Sequence, residues 1–263
     1  MNENQYIVDY YSGYDEDNRL VSKSGSVEFL TTKRYIEKYI KPGDRIIEVG
    51  AGTGRYSHAL AQQGYNVDAV ELVEHNIEVF KANTKEGENI SIRQGNALDL
   101  SAFPDNAYDI SLLLGPMYHL YTKEDKLKAL REIIRITKPG GVIFVAYVLV
   151  DLFLYQEVFK NRSFNLVEYI EEGKIDPVTF ATKSAPKDLF ELVRKQDIDA
   201  LMAELPVTRL HYVITNGLTY CMCEAIDEMD DELYKLYLDY HFSICEREDL
   251  LGMSNHSLDV FRK

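Results

Sequence analysis

The stretch that decides the fold is Ile46-Ile47-Glu48-Val49-Gly50-Ala51-Gly52-Thr53-Gly54-Arg55-Tyr56. It is typical of a buried strand that ends in an acidic residue, followed by a three-glycine turn and the first turn of a helix. A dinucleotide-binding turn carries its third glycine three positions after the second, where this chain has Arg55. The glycines instead follow the pattern G-x-G-x-G, whose backbone can lie flat against a ligand without a pyrophosphate. The stretch therefore predicts a nucleotide-cofactor site at the end of a strand.

This glycine pattern resembles motif I of the class I S-adenosylmethionine-dependent methyltransferases. The resemblance implies that Glu48 lies beneath the methionine amino group of S-adenosylmethionine. It also implies that the turn formed by Gly50, Ala51, Gly52 and Gly54 lets the backbone approach the sulfonium end of this cofactor. The product of the reaction would then be S-adenosylhomocysteine.

Strands and helices alternate after this motif, as a doubly wound sheet requires. The predicted strands are 45–49, 66–72, 90–94, 109–114 and 142–150, and the predicted helices are 31–39, 54–63 and 74–84. A further helix begins with a capping box of Thr122 and Asp125 and ends at Lys138-Pro139-Gly140-Gly141. The predicted fold class is α/β, a doubly wound, mostly parallel, seven-stranded sheet with helices on both faces and a helical insertion or lid.

The domain organisation is predicted in four parts. Residues 1–40 form an N-terminal helical lid, 41–150 the S-adenosylmethionine-binding Rossmann-like core, 151–205 a mostly helical insertion, and 206–263 the strands and helices that complete the core. Within the last two parts, the predicted elements are a helix over 187–203, a strand over 209–215, helices within 222–240 and an edge strand over 257–261. Three apolar residues of this part, Met222, Leu233 and Leu236, are interpreted as core residues.

Glu71 ends the second predicted strand, 17 residues after Gly54. A carboxylate there is placed to accept hydrogen bonds from both ribose hydroxyls of a nucleotide, and Leu72 would cover one face of the adenine. The segment 94–99 (QGNALD) resembles the methyltransferase loop that contacts the adenine edge, which implies roles for Asn96 and Ala97. Asn96 stands where the family usually has Asp, and its amide oxygen can still accept a hydrogen bond from the adenine amino group, with weaker affinity.

The segment 113–120 (LLGPMYHL) follows the fourth predicted strand and faces the same crevice as the glycine turn. Leu114 is a candidate cofactor-binding residue. Tyr118 is a candidate catalytic residue, as a pocket wall or a cation–π neighbour of the sulfonium. His119 is the candidate general base, a role that contributes about 10²- to 10⁴-fold to a rate. The alternative is a structural His119, because methyl transfer from an activated sulfonium can proceed without a base. The loop lacks the Asn/Asp-Pro-Pro-aromatic pattern, which argues against methylation of a nucleobase or a glutamine amide.

The leader, residues 5–20, is rich in tyrosine and resembles the N-terminal lid of small-molecule methyltransferases. The alternative is a helix that its aromatic residues dock on the core. The tail, residues 240–256, resembles that of uncharacterised bacterial methyltransferases. His211, His241 and His256 have no motif spacing and are interpreted as structural or surface residues.

Charge and composition limit the partners. The 263 residues include 29 basic and 43 acidic side chains, a formal net charge of −14, which disfavours nucleic acid as a partner. The longest apolar run, 142–150, is too short to cross a bilayer, and the polar residues 1–10 lack a signal-peptide core. We therefore expect a cytoplasmic protein without a membrane partner. The three cysteines have no metal-ligand spacing and are expected to be reduced, so no metal is predicted. The sequence does not indicate an oligomeric state.

The predicted function is S-adenosylmethionine-dependent methyl transfer, directly and in line, to an unidentified small-molecule acceptor. One alternative is an NAD(P)-dependent oxidoreductase on a Rossmann-like sheet, which Arg55 at the third glycine position disfavours. The other alternative is a non-catalytic S-adenosylmethionine-binding protein.

Overall fold

The computed structural model describes residues 4–14, 16 and 19–263. Within these residues, one sheet contains β1 Arg45–Val49, β2 Asn66–Glu71, β3 Ile90–Gln94, β4 Tyr108–Leu113, β5 Thr137–Leu149, β6 Leu192–Val193, β7 Thr208–Ile214 and β8 His256–Arg262. The strand order is β3-β2-β1-β4-β5-β8-β7, and β6 pairs with the end of β5. The first five strands in this order are parallel, whereas β8 is antiparallel to both of its neighbours. The predicted α/β fold with a mostly parallel sheet is confirmed, with a two-residue strand added to the seven expected.

Helices pack around this sheet. They are α1 Asn4–Tyr11, α2 Lys23–Glu37, α3 Arg55–Ala61, α4 Glu74–Asn83, α5 Lys123–Ile136, α6 Val150–Phe153, α7 Leu166–Glu171, α8 Lys195–Met202, α9 Cys223–Asp227 and α10 Asp231–Ile244. A π-helical segment, Leu154–Lys160, follows α6. In the described part of the chain, no helix combines the length and the apolar character needed to span a membrane.

The start of α5 shows how local sequence fixes an element. Thr122 caps the helix, since its hydroxyl oxygen accepts a hydrogen bond from the backbone N–H of Asp125 at 3.1 Å. The predicted capping position is confirmed. The residues 138–141, however, do not form a turn before the fifth strand. They lie inside β5, which pairs with β4 from Thr137 onward and shifts register before Val142.

The helix α2 is longer than predicted, because it begins at Lys23 rather than at residue 31. Ser22 caps it by accepting a hydrogen bond from the N–H of Gly25. A Cβ on Gly25 would lie 2.5 Å from the carbonyl oxygen of Arg19. The glycine therefore lets the leader backbone cross the first turn of α2 closely, and it does not interrupt the helix.

The predicted helix over 187–203 is wrong in its first half. Leu192 and Val193 form β6 and pair with Val148 and Leu149, so the helix α8 begins only at Lys195. Leu189 has a left-handed backbone (φ 66°), which a helix does not accommodate. Pairing with the sheet and partial burial of Leu192 against the core override the helical spacing of this segment.

Two further predictions in the last quarter of the chain are wrong. The strand β8 is not an edge strand, since it lies between β5 and β7, and β7 occupies the edge. Met222, Leu233 and Leu236 are not core residues, because their exposed fractions are 43%, 50% and 60%. Leu233 and Leu236 lie on α10, and Met222 precedes α9, so an apolar residue in a helical segment is not by itself evidence of burial.

Candidate functional site

A cavity of about 1050 Å³ opens at the carboxyl ends of β1, β2 and β4, beside the point where the strand order reverses. This volume lies at the upper end of the range of small-molecule pockets, roughly 300–1,000 Å³, so it can hold more than one ligand. The predicted site residues that line it are Glu48, Gly50, Ala51, Gly52, Glu71, Leu72, Asn96, Ala97, Leu114, Tyr118 and His119. Gly54 does not line the cavity. The structure thus brings all but one of these residues to one place.

Gly50 joins the glycine turn to the loop after β4. Its backbone is left-handed (φ 78°), and its N–H donates a hydrogen bond to the carbonyl oxygen of Val70 at 2.8 Å. A Cβ at this position would lie 2.5 Å from Cδ of Pro116. Glycine is therefore required both for the turn and for the close approach of Pro116, and both residues line the cavity.

Gly54 has a different role, at the start of α3 and beneath the turn. Its φ is 94°, and a Cβ would lie 2.5 Å from Cδ2 of Phe80 and 2.7 Å from Cδ2 of His58. Glycine at this position lets α3 pack against α4. Gly54 therefore stabilises the turn through packing with α4 and does not face the cavity.

We expect the change Gly54→Ala to lower the free energy of unfolding by roughly 2–4 kcal/mol, from left-handed strain plus overpacking. The matched control is Gly64→Ala, because Gly64 has φ 92° but nothing within 4 Å of an added Cβ. The control should cost only about 1 kcal/mol. Urea unfolding of both variants measures the difference, and equal losses would contradict the packing explanation.

Glu71 is buried at the end of β2 and connects β2 to the glycine turn. Its Oε2 accepts a hydrogen bond from the N–H of Gly52 at 2.8 Å, and its Oε1 accepts one from the N–H of Val73 at 2.9 Å. Burial raises the pKa of Glu71, although these hydrogen bonds oppose the shift. Oε1 also accepts a hydrogen bond from Nδ2 of Asn76 at 3.4 Å, whereas Oε2 keeps a second lone pair. The group can therefore accept one ligand hydroxyl at Oε2, and a second at Oε1 in exchange for the long contact with Asn76.

Glu48 is buried at the end of β1, with 2% of its surface exposed. Burial raises its pKa to about 8, and the hydrogen bond donated by Ser57 Oγ to Oε2 offsets this only in part. The carboxyl group is therefore mostly protonated at neutral pH when no cationic group lies beside it. A cationic ligand group beside it would favour the ionised form.

Asn96 begins the loop after β3. Its side-chain oxygen accepts a hydrogen bond from the N–H of Leu98 at 2.9 Å, which fixes the amide in the wall of the cavity. Ala97 is buried beside it. One lone pair of the Asn96 oxygen is thus used within the loop, and one is left for a ligand donor.

His119 uses both ring nitrogens within the protein. Nδ1 lies 2.8 Å from the carbonyl oxygen of Leu189, and Nε2 lies 3.2 Å from the hydroxyl of Tyr11. A carbonyl oxygen can only accept, so Nδ1 carries the proton and Nε2 accepts from Tyr11. Burial lowers the pKa of His119 to about 4. These contacts, which link the leader to the 151–205 segment, favour the structural interpretation over the general base.

Tyr118 is a buried wall of the cavity. Burial raises its pKa well above the usual value, so the hydroxyl stays protonated. Its ring lies 5.6 Å from the His256 ring, measured between centroids.

A cluster of charged side chains that sequence reasoning missed also lines this cavity. Glu28 of α2 is paired with Arg19 of the leader at 3.2 Å and with Nδ1 of His256 at 3.3 Å. Arg19 is also paired with Glu16 at 2.8 Å. His256, interpreted from the sequence as structural or surface, is a cavity residue. The cluster comes from the two ends of the chain, so no local motif in the sequence could have indicated it.

Among residues 4–14, 16 and 19–263, no three His, Cys, Asp or Glu side chains are grouped so that they could hold a metal ion. Cys221, Cys223 and Cys245 form no disulfide bond.

Comparison with known proteins identifies the part of the chain that carries these residues. A family model described as a methyltransferase domain matches residues 47–145. A demethylmenaquinone methyltransferase of Symbiobacterium thermophilum is 27% identical over 215 residues, which are 73% of this chain and 84% of that protein. A protein of the same name from Renibacterium salmoninarum is 33% identical over 105 residues, which are 40% of this chain and 41% of that protein.

Among solved structures, magnesium protoporphyrin IX methyltransferase of Synechocystis, with bound S-adenosylhomocysteine, matches with a TM-score of 0.61. The match covers 100% of both chains at 12% sequence identity, so by itself it shows a shared fold. The family match runs from β1 into β5 and includes the glycine turn, Glu71 and the loops after β3 and β4.

Proposed function

We infer that the chain belongs to the class I S-adenosylmethionine-dependent methyltransferases and that it methylates a small-molecule acceptor bound inside the cavity. The observation that carries the proposal is the continuity of this cavity. It extends from Glu71 and the glycine turn, where the cofactor is expected, to walls formed by the leader and by the 151–205 segment. Cofactor and acceptor can therefore meet in one continuous space.

We propose the following cofactor contacts. Glu71 accepts hydrogen bonds from the ribose hydroxyls, and Glu48 pairs with the methionine amino group. The turn and the adenine pocket complete the site, with Gly50, Ala51, Gly52, Leu72, Asn96, Ala97 and Leu114 as contact residues. Their position around one cavity supports this assignment. Gly54 contributes indirectly, because the absence of a Cβ lets the turn pack closely against Phe80 and His58.

Aromatic side chains support a small, flat acceptor. The leader contributes Tyr10, Tyr11 and Tyr14 to the cavity, and the 151–205 segment contributes Phe153 and Phe190. Such walls favour an apolar ring over a long polymer. Two relatives are named demethylmenaquinone methyltransferases, which favours a ring acceptor of this kind. The net charge of −14 makes nucleic acid an unfavourable partner.

The chemistry requires positioning more than activation. The sulfonium is already a good leaving group, so the protein has to align the acceptor atom with the methyl carbon and exclude water. Neutral Tyr118 can form a wall beside the sulfonium, where its ring favours a cation.

His119 and Tyr11 hold the leader against the 151–205 segment. We propose that residues 1–40 and 151–205 act as lid and insertion around the core of 41–150 and 206–263. Residues 1–3, 15, 17 and 18 of the lid lie outside the described residues.

We also propose a cytoplasmic location, which the three unpaired cysteines support. Cell fractionation with an antibody to the protein tests this. Recovery with the membrane pellet would contradict it.

Calorimetric titration of the purified protein tests the proposed function. We expect saturable binding of S-adenosylmethionine and of S-adenosylhomocysteine, and no heat with NAD. Incubation with a metabolite extract and S-adenosylmethionine should then release S-adenosylhomocysteine. Binding of NAD alone would contradict methyl transfer. Tight S-adenosylmethionine binding without product from any extract would indicate a non-catalytic binding protein.

A further inference from the structure

Residues 183–187, which we name the basic segment, contribute three polar side chains to the lining of the cavity: Lys183, Ser184 and Lys187. In the part of the chain that the structure describes, neither ammonium group forms an ion pair or a hydrogen bond, and the hydroxyl of Ser184 forms no hydrogen bond. Both lysines are exposed and Ser184 is partly buried, so these donors lie where the cavity opens to solvent. Each of them is available to a ligand.

The acidic residues near the basic segment compensate only part of its charge. Glu172 pairs with Lys174 at 2.9 Å, and Asp188 pairs with the same ammonium group at 3.2 Å. The other oxygen of Asp188 accepts a hydrogen bond from the N–H of Ala185 at 2.9 Å. Together with Lys174, the two lysines of the basic segment place three ammonium groups against these two carboxylates, which leaves a net charge of +1.

The cofactor end of the cavity, beside the glycine turn, is acidic. Its lining includes four carboxyl groups, those of Glu16, Glu28, Glu48 and Glu71. Arg19 pairs with two of them, and the guanidinium of Arg55 lies 4.8 Å from the centroid of the Phe29 ring. Because the protein carries a net charge of −14, most of its surface repels a small anion. The basic segment is therefore the part of the cavity where an anionic group is best stabilised.

The basic segment is held beside the aromatic wall of the cavity. Lys187 lies two residues before Leu189, whose carbonyl oxygen accepts a hydrogen bond from Nδ1 of His119 at 2.8 Å. The next residue, Phe190, has its ring 5.4 Å from the His119 ring and 5.7 Å from the Tyr10 ring, measured between centroids. A ligand group bound by the basic segment would thus be covalently close to a ring packed on this wall.

We propose that the methyl acceptor is an aromatic molecule that carries a carboxylate or phosphate group, and that Lys183, Ser184 and Lys187 bind this anionic group. The inference rests on the proposed function and names the class of its acceptor. Two ammonium groups and one hydroxyl supply donors to the oxygens that either anion presents. The anionic group then fixes one end of the acceptor at the mouth of the cavity, and the ring extends along the aromatic wall toward the glycine turn.

The test measures binding of three probes to the full chain saturated with S-adenosylhomocysteine. The probes are benzoate, phenyl phosphate and the neutral benzyl alcohol, and ligand-observed NMR titration gives their dissociation constants. We expect at least one of the two anions to bind about tenfold more tightly than benzyl alcohol, and the tighter anion distinguishes a carboxylate from a phosphate acceptor. Raising the salt concentration from about 0.05 M to about 0.5 M should remove most of this difference, because salt screens exposed charges.

The variants Lys183→Gln and Lys187→Gln should each weaken binding of the tighter anion about fivefold and leave benzyl alcohol and S-adenosylhomocysteine unaffected. Ser184→Ala should weaken it about threefold. The matched control is Lys128→Gln, because Lys128 is an exposed lysine on α5 that does not line the cavity. It removes the same charge from the protein and should leave the affinity of the anion unchanged.

Two results would overturn the inference alone, in a protein that binds S-adenosylhomocysteine. One is that neither anion binds more tightly than benzyl alcohol. The other is that the lysine variants of the basic segment lose no more affinity for the anion than Lys128→Gln does, which would indicate an effect of net charge. Failure of the wild type to bind S-adenosylhomocysteine would instead contradict the proposed function. Lys183→Arg and Lys187→Arg, which keep the charge, should retain most of the affinity.

Discussion

Replacement of Glu71 by alanine is expected to weaken S-adenosylmethionine binding by roughly 100- to 1,000-fold. The reason is that two hydrogen bonds from the ribose hydroxyls to a charged acceptor are lost. The carboxylate is buried and already oriented by the backbone of Gly52 and Val73, so binding of the ribose requires only exchange of the long contact with Asn76. Isothermal titration calorimetry of wild type and variant measures the change. Glu78→Ala is the control, because Glu78 is an exposed carboxylate on α4.

Glu71 also anchors the glycine turn, so its removal could weaken binding by loosening Gly52. A thermodynamic cycle separates the two causes. The affinity of S-adenosylhomocysteine is compared with that of its 2′-deoxy analogue, in wild type and in Glu71→Ala. Direct contact predicts that the missing hydroxyl costs affinity only in the wild type. If the analogue loses the same factor in both proteins, Glu71 acts on the turn and not on the ribose.

The residues from β1 to the loop after β4 could be predicted from sequence because their signals are local. An acid and three glycines at fixed spacing specify a strand, a turn and a helix, and the strands around them are short apolar runs between turn residues. The structure brings eleven of the twelve predicted site residues to one cavity. Gly54 is the exception, because a glycine spacing does not tell whether the missing Cβ makes room for a ligand or for a neighbouring ring.

The pairing of Glu28 with His256 could not be predicted in this way. These residues lie near opposite ends of the chain, and they meet only because β8 inserts between β5 and β7. A short strand has no local signal for its place in a sheet, so the sequence predicts an edge strand where the structure has an inner one. The sequence instead favours His119 as the general base, since its loop follows a predicted strand. In the structure, however, both ring nitrogens of His119 form hydrogen bonds within the protein.

The apolar face of α10 shows a second limit. Leu233 and Leu236 recur at helical spacing, which identifies a face of the helix but not what covers it. The helix packs on α2 through other residues, among them Tyr234, whose hydroxyl donates a hydrogen bond to the carbonyl oxygen of Lys23 at 2.7 Å. Polar tyrosine contacts therefore decide which side of α10 faces the protein.

The stability of the ligand-free protein is expected to depend on pH through Glu48. Its folded pKa of about 8 lies above the ordinary value of 4.5, because burial disfavours the charged carboxylate. The stabilisation is complete below pH 4.5 and is lost as the pH rises toward 8, by about 1.4 kcal/mol per pH unit. The change Glu48→Gln removes this dependence. Relative to wild type, the variant should therefore gain on the order of 3 kcal/mol in free energy of unfolding between pH 5 and pH 8.

Cofactor binding should show the opposite dependence on the same group. If the ammonium of S-adenosylmethionine pairs with Glu48, the carboxyl group must lose its proton on binding. The affinity of the wild type should then rise nearly tenfold from pH 6 to pH 7 and less steeply from pH 7 to pH 8, with release of up to one proton. Calorimetry in buffers of different ionisation enthalpy measures that proton. In Glu48→Gln the affinity should be weaker and nearly independent of pH. A wild-type affinity that is flat over this range would show that the ammonium binds elsewhere, even if Glu48→Gln stabilises the empty protein as expected.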